Sequence, residues 1–233
     1  MFNYYGSKSK IIDYYPSPKY GKIIEPFAGS ARYSLKYFDR DVLLVDKYEV
    51  IIKIWKWLQK ASKQDIMNLP EPKAREDIRN YKFDCEESIM LMRFIIGAGL
   101  SNPQWTVSPQ NFGGGVKRCK KNIAQQLYKI KHWEIKLDDY RNIENEKATW
   151  FIDPPYENGG HRYVHNNKTI DYNLLADWCK ERKGQVIVCE NSKARWLPFR
   201  QMANLHGSRF NTKEVIWSNQ RTNYDCEQLK MFL

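Results

Sequence analysis

Asp153-Pro154-Pro155-Tyr156 directly follows the apolar run Trp150-Phe151-Ile152, which sets a carboxylate, two stiff backbone units and a phenol at the carboxyl end of an expected strand. Open α/β sheets bind their ligands at that end. Two prolines hold φ near one value, so the Asp153 carboxylate and the Pro154 carbonyl can stand side by side as acceptors. Their complement is an exocyclic NH2 group, which offers two donors. Such an amine is a poor nucleophile while its lone pair is delocalised into an aromatic ring. Two acceptors drawing on its hydrogens favour the pyramidal, reactive geometry, so Asp153 needs only to orient and polarise. Pro155 and Tyr156 complete the candidate catalytic set, Tyr156 as a flat face for stacking a base flipped out of a duplex. At roughly 5% per residue type, a named tetrapeptide arises by chance in about one chain per thousand of this length. The competing reading is a turn merely stiffened by proline.

The elements that must position this group read as a parallel α/β pattern. Lys22-Ile23-Ile24-Glu25 has strand length, Pro26 to Ser30 forms a tight turn, and Ala31 to Phe38 suits a helix. Val42-Leu43-Leu44-Val45-Asp46 is a second apolar run ending in a carboxylate, and Val50 to Leu58 has apolar residues at helical spacing. This βαβα opening predicts a doubly wound sheet with helices on its faces. Further strands are expected at Trp133–Leu137, Ala148–Ile152 and Gln185–Cys189, with a helix over Asn173–Lys183. Lys213–Trp217 and Leu229–Leu233 are expected to add an antiparallel C-terminal hairpin.

Between these halves, residues 62–131 are more polar and predict a small, mostly helical inserted subdomain; residues 1–61 and 132–233 form the catalytic domain. The insert holds the apolar run Ile89 to Ile96, a turn-rich loop through Gly113-Gly114-Gly115, and a basic stretch from Lys117 to Lys131 that contains no acidic residue. In the whole chain 38 Lys and Arg face 27 Asp and Glu, a formal charge of +11 over 233 residues. That balance favours a polyanionic partner, nucleic acid ahead of a membrane surface. Hydrophobic residues at 42% and aromatics at 14% exclude general disorder. No apolar run approaches the ~20 residues of a membrane span, and the N-terminus lacks a signal peptide's apolar stretch. A soluble, cytoplasmic protein is expected, its five scattered cysteines reduced.

Asp-Pro-Pro-Tyr after a strand, with Glu25-Pro26-Phe27-Ala28-Gly29-Ser30 upstream, resembles the Dam-type S-adenosylmethionine-dependent DNA N6-adenine methyltransferases. Tyr4-Tyr5-Gly6-Ser7-Lys8 is similar to that family's Trp-x-Gly-Gly-Lys, Val45-Asp46 to its acidic second-strand end, and Asp138-Asp139-Tyr140 to its Asp-Phe/Tyr element. The order of the pieces is similar to the family's alpha arrangement: cofactor half, recognition insert, catalytic half. The resemblance implies a Rossmann-like class I methyltransferase fold, S-adenosylmethionine as cofactor, no metal, and duplex DNA as partner of a monomer or weak dimer in a prokaryotic or phage-infected cell.

Roles carried by the resemblance then follow. Phe27, Ala28 and Gly29, with Glu25 and Ser30 beside them, would cradle the cofactor's methionine end; Asp46 would accept from its ribose hydroxyls; Asp139, next to Tyr140, would accept from its adenine amine. Tyr4, Gly6 and Lys8 would close over the methionine carboxylate and the target-base pocket, with Asp153 touching both ligands. Asp46 as a helix cap and Asp138-Asp139 as solvated turn residues stay open. Ala31 stands where the family has a second glycine, and Tyr4 and Ser7 replace its Trp and Gly.

For DNA contact the candidates are Lys117, Arg118, Lys120 and Lys121 on a basic helix, with Gln110 and Phe112 in the loop before it. His161, Arg162 and Tyr163 lie in a Gly-rich loop expected to order over the flipped nucleotide, and Lys8 lies at the base pocket. A solvated basic face is the alternative for the helix. His161 and His165 without nearby thiols make a poor metal site. Rival functions are a cytosine N4 methyltransferase, an RNA adenine methyltransferase, and a DNA-binding module with a vestigial cofactor pocket.

Overall fold

The computed structural model describes residues 1–2, 4–9, 11–97, 102–109, 115–206 and 211–220. Seven strands form one sheet in the order β3-β2-β1-β4-β5-β7-β6. They are β1 (Lys22–Glu25), β2 (Asp41–Asp46), β3 (Glu134–Leu137), β4 (Ala148–Ile152), β5 (Gly184–Asn191), β6 (Arg200–His206) and β7 (Asn211–Ser218). The first five pair in parallel; β7 runs antiparallel to both β5 and β6. This is a Rossmann-like α/β sheet, mostly parallel, closed by a C-terminal antiparallel hairpin. The expected hairpin arm at Lys213–Trp217 lies in β7, but its partner is β6, and residues 229–233 lie outside the described residues. The Arg-Gln-Met-Ala-Asn-Leu-His run of β6 has too few apolar residues to read as a strand, as befits the sheet's edge.

Strand residues alternate between two apolar layers, as a sheet covered on both faces requires. Ile23, Val42, Leu44, Phe151, Ile187 and Cys189 point to one layer; Ile24, Leu43, Val45, Trp150, Ile152, Val186 and Val188 point to the other. The first layer is filled by α1 (Arg32–Lys36) and α2 (Glu49–Lys60), whose Ile51, Ile54, Trp55 and Leu58 recur at helical spacing and are fully buried. The second receives Leu175, Ala176 and Cys179 of α6 (Tyr172–Glu181), which Asp171 caps by accepting from the Asn173 and Leu174 amides.

Residues 62–131 supply α3 (Lys63–Met67), α4 (Glu86–Ile96) and α5 (Gly115–Ala124). A reciprocal Ser62/Asp65 capping box starts α3. Their buried Ile66, Leu91, Phe94, Ile95 and Ile123 belong to the same apolar cluster as Ile51 and Trp55, so the segment inserted between α2 and β3 shares the first layer's core. Among the described residues no helix is long and apolar enough to cross a membrane, and Cys85, Cys119, Cys179 and Cys189 are free thiols.

Gly184 opens β5 at φ +103°, beside Ala148 at the start of β4, and a Cβ there would stand 2.2 Å from the Ala148 carbonyl oxygen. Neither the backbone region nor the space admits a side chain. Gly184→Ala is therefore expected to cost about 2 kcal/mol or more, read as a lowered urea midpoint with an unchanged slope.

Candidate active site

Chain order runs outward from β1 to β2 and β3 and then returns to β4 on the other side of β1, so a crevice opens at the carboxyl ends of β1 and β4. A cleft lies there among the described residues. Its wall combines residues 25–32 after β1, 46–48 after β2, 138–141 after β3, Asp153 and Pro155 after β4, residues 4–8 of the N-terminal segment and Tyr163 to His165.

The turn after β1 is tied down at every step. The Gly29 amide donates to Asp46 Oδ2 (3.0 Å), the Trp55 indole donates to the Gly29 carbonyl (2.9 Å), and the Ala28 amide donates to the Val45 carbonyl. Asp46 also accepts from the Tyr48 amide through Oδ1 (2.8 Å). Burial lifts its carboxyl above the ordinary value, and the Gly29 and Tyr48 amides work against that rise. Asp46 is thus both the brace of this turn and a carboxylate on the cleft wall. Glu25 is buried and accepts from the Ser34 amide at the start of α1 (2.7 Å); burial pushes it up to about 8, so it is largely protonated near neutral pH.

Phe27 and Tyr140 face each other across the floor at 5.3 Å and 33°, a flat apolar surface between the β1 and β3 ends. Asp139 lies beside them, but its oxygens already accept from Arg141 Nε (2.8 Å), Arg141 Nη2 (3.0 Å) and Lys47 Nζ (3.1 Å). Bonding to the Arg141 guanidinium holds it well below the usual carboxylate range. A ligand amine would share Asp139 with two cations.

Beyond β4, the Asp153 carboxylate meets Lys8 Nζ at 2.8 Å. Burial lifts Asp153 to about 6 against the pull of Lys8, and Glu214 adds to the rise. The same ammonium lies 3.6 Å from Glu214 Oε1 and 4.6 Å from the centre of the Tyr156 ring. Glu214 Oε1 also accepts from the hydroxyls of Tyr15 (2.8 Å) and Tyr156. Asp153 and Pro155 reach the cleft; Pro154 and Tyr156 stand behind the wall, Pro154 buried and Tyr156 half-buried against the core. The Pro155 carbonyl accepts from the Tyr172 hydroxyl, which fixes the end of the turn.

The N-terminal strip is held from two sides. Arg32 donates through Nε to the Ser7 hydroxyl (2.9 Å) and through Nη2 to the Phe2 carbonyl (2.9 Å), while the Tyr163 hydroxyl donates to the Tyr5 carbonyl (3.2 Å). The loop carrying Tyr163 is anchored in turn by Glu190, a buried carboxylate at the end of β5 that accepts from the Glu157 amide and that burial pushes up to about 7.

Of the expected site residues, Tyr4, Gly6, Lys8, Glu25, Phe27, Ala28, Gly29, Ser30, Asp46, Asp139, Tyr140, Asp153, Pro155 and Tyr163 line one cleft. One DNA-contact expectation needs correction. Lys120 is 2% exposed and donates to the Leu69 carbonyl and Glu71 Oε1, so its charge is spent inside the fold. Lys8, expected at the base pocket, is 8% exposed on the cleft wall with its ammonium turned to Asp153. Lys117, Arg118 and Lys121 are exposed on α5, and His161 and Arg162 are exposed in a 3-10 turn; Gln110 and Phe112 lie outside the described residues.

Sequence reading missed Glu214, Arg32, His165 and Asp171. A glutamate between Lys213 and Val215 in an apolar strand was the available signal for Glu214, and the capping position before α6 was the signal for Asp171. Among the described residues no group of three or more His, Cys, Asp or Glu side chains is placed to hold a metal.

No protein-family model matches the sequence, and no curated protein matches it. The solved structures that overlay on the chain include the following two. One is described as "Putative methyltransferase yhhF from Escherichia coli", 10% identical over 90% of this chain and 78% of that one, with a TM-score of 0.35. The other is a "conserved hypothetical protein" of Streptococcus pyogenes, 11% identical over 89% of each chain, with a TM-score of 0.36. Likenesses this faint carry no weight for function.

Ala31 stands at φ +45°, a left-handed backbone that suits glycine, and is 2% exposed. An alanine there bears roughly 1 kcal/mol of strain. Ala31→Gly is expected to hold stability within about 1 kcal/mol, relief of strain offsetting the extra freedom of the unfolded chain. Ala31→Val is expected to lose about 2 kcal/mol or more, because a β-branched residue tolerates neither the backbone nor the tight site. Paired urea titrations measure both.

Proposed function

We propose that this protein transfers the methyl group of S-adenosylmethionine to N6 of an adenine flipped out of duplex DNA. The observation that carries the reading is the opening of Asp153 onto the same cleft as the β1 turn and Asp46. A carboxylate-bearing trough and an amine acceptor thereby share one space.

The residues present suit the cofactor. Asp46 offers a carboxylate to a diol, the Phe27–Tyr140 pair offers a flat apolar contact to a purine, and the turn at Ala28 and Gly29 brings small residues to the cleft. Bound there, the cofactor supplies an electrophilic methyl group on sulfur. The protein's own part is to hold the amine in line and shape its lone pair. Asp153, whose carboxylate reaches the cleft, accepts one N–H of the target amine. The nitrogen lone pair forms the new N–C bond as the S–C bond breaks, and the nitrogen then gives up one proton, for which the adjacent Asp153 carboxylate is the acceptor.

Lys8 meets Asp153, the group a target amine would use, and covers the Tyr156 ring behind the wall. An incoming amine therefore replaces one donor with another at Asp153, while Glu214 at 3.6 Å keeps a counter-charge for the ammonium. A buried carboxylate can exchange partners this way without being left unpaired.

The test is incubation with duplex DNA and methyl-labelled S-adenosylmethionine, then nucleoside digestion and mass analysis. N6-methyldeoxyadenosine is the expected product. N4-methyldeoxycytidine would overturn the choice of base, and methylation of RNA alone would overturn the choice of polymer. Cofactor binding to no measurable degree, with DNA binding kept, would leave a binding module.

Asp153→Ala is expected to lower turnover at least ~100-fold while cofactor affinity by calorimetry changes little. Transfer requires the Asp153 carboxylate, so wild-type turnover should fall as pH drops through about 6. Lys8→Met removes the cation that favours the charged form, so its acidic limb should move upward by about one pH unit. A pH–rate profile of the two proteins checks the direction.

A further inference from the structure

A run of aromatic and guanidinium groups leads away from the cleft mouth across the helical segment. His165, on the cleft wall, meets the Tyr48 ring edge-on at 6.3 Å, and Tyr48 lines the same wall. The charge of Arg93 on α4 acts on the Tyr48 hydroxyl. The Arg93 guanidinium in turn lies 3.9 Å from the centre of the Trp105 ring, and that of Arg79 lies 5.6 Å from it.

These groups are not balanced in the same way. Arg79 is neutralised by a two-oxygen contact with Asp77, donating to Oδ1 through Nε and to Oδ2 through Nη2. Arg93 has no ion pair among the described residues: it donates to the Pro103 carbonyl at 3.3 Å, and its buried Nε has no hydrogen-bond partner. Trp105 is 38% exposed, unusually open for a large apolar ring held on one side by a cation. An uncompensated guanidinium under an exposed indole, beside the mouth of a cleft in a chain of charge +11, has an anionic, ring-bearing chain as its complement. Stacking on an aromatic face with a neighbouring Arg is how nucleic acid strands are held without regard to sequence.

We propose that Trp105, backed by Arg93, is a nucleic acid contact that guides the DNA strand toward the cleft; the proposal rests on the DNA reading above and assigns where the polymer lies. A clasp serving only the fold would leave Trp105 indifferent to DNA.

The test uses the intact chain labelled with 5-fluorotryptophan. The Trp105 fluorine resonance is identified as the one missing from Trp105→Phe, and a short adenine-containing duplex is added to the unsubstituted protein. The expected result is a shift or broadening of the Trp105 resonance, while those of buried Trp133 and Trp150 stay in place. An unmoved Trp105 resonance at DNA concentrations that saturate binding by anisotropy overturns the proposal, as does the absence of DNA binding. In parallel, Arg93→Met should weaken DNA binding about 3- to 10-fold and reduce the salt slope by about one, with cofactor affinity unchanged; an unaltered slope overturns the role given to Arg93. DNA that moves Trp105 but receives no methyl group overturns the activity alone and leaves the contact standing. Methyl transfer with Trp105 unmoved overturns the contact alone.

Discussion

The Lys8 ammonium between Asp153 and Glu214 is the interaction on which the rest of the site depends. Burying ions costs several kcal/mol each unless partners and geometry offset it. Here the accounts of the three groups differ. Burial opposes the charge of Lys8, yet two carboxylates oppose burial, and the ammonium is held protonated beyond its ordinary value. Burial likewise opposes the charge of Asp153, which has one ammonium in its favour and Glu214 against it, and here burial wins. The cluster therefore keeps its cation fixed and lifts the Asp153 carboxyl to about 6.

That arrangement explains why so much of the chain is spent on holding three remote pieces together. Lys8 belongs to an N-terminal strip fastened by Arg32 and Tyr163, Asp153 follows the central strand β4, and Glu214 comes from β7, which reaches the cluster only because it inserts antiparallel between β5 and β6. The Tyr15 and Tyr156 hydroxyls both donate to Glu214, so its charge is also compensated by neutral donors. Removing any one piece would strand a buried charge, a far larger effect than the loss of a surface pair.

What the sequence made legible follows the range of the interaction that sets each residue's role. The strands β1, β2, β4 and β5 are buried on both faces, so each reads as a continuous apolar run, and the ends of β1, β2 and β4 fall at the cleft by topology. Asp46 and Asp153 needed no more than that. The edge strand β6 has one side open and a polar sequence, so it gives no such sign, although it is the strand that pairs with β7 in the hairpin. Glu214 is a single carboxylate in an apolar strand, and its meaning depends on a lysine 206 positions away in sequence.

Lys120 teaches the same lesson from the opposite side. Counted as one of a cluster of cations, it looked like a phosphate contact; placed on the helix, it falls in the stripe formed with Val116, Ile123 and Ala124, which is the buried face of α5. Helical spacing therefore outweighs local charge density as a guide to where a lysine points, provided that a partner such as Glu71 and a backbone carbonyl can receive the ammonium. The exposed set Lys117, Arg118 and Lys121 lies on the remaining face, so a phosphate backbone approaching α5 would meet three cations. Composition alone could only say that the chain is basic; the periodicity says which of its charges are free to act.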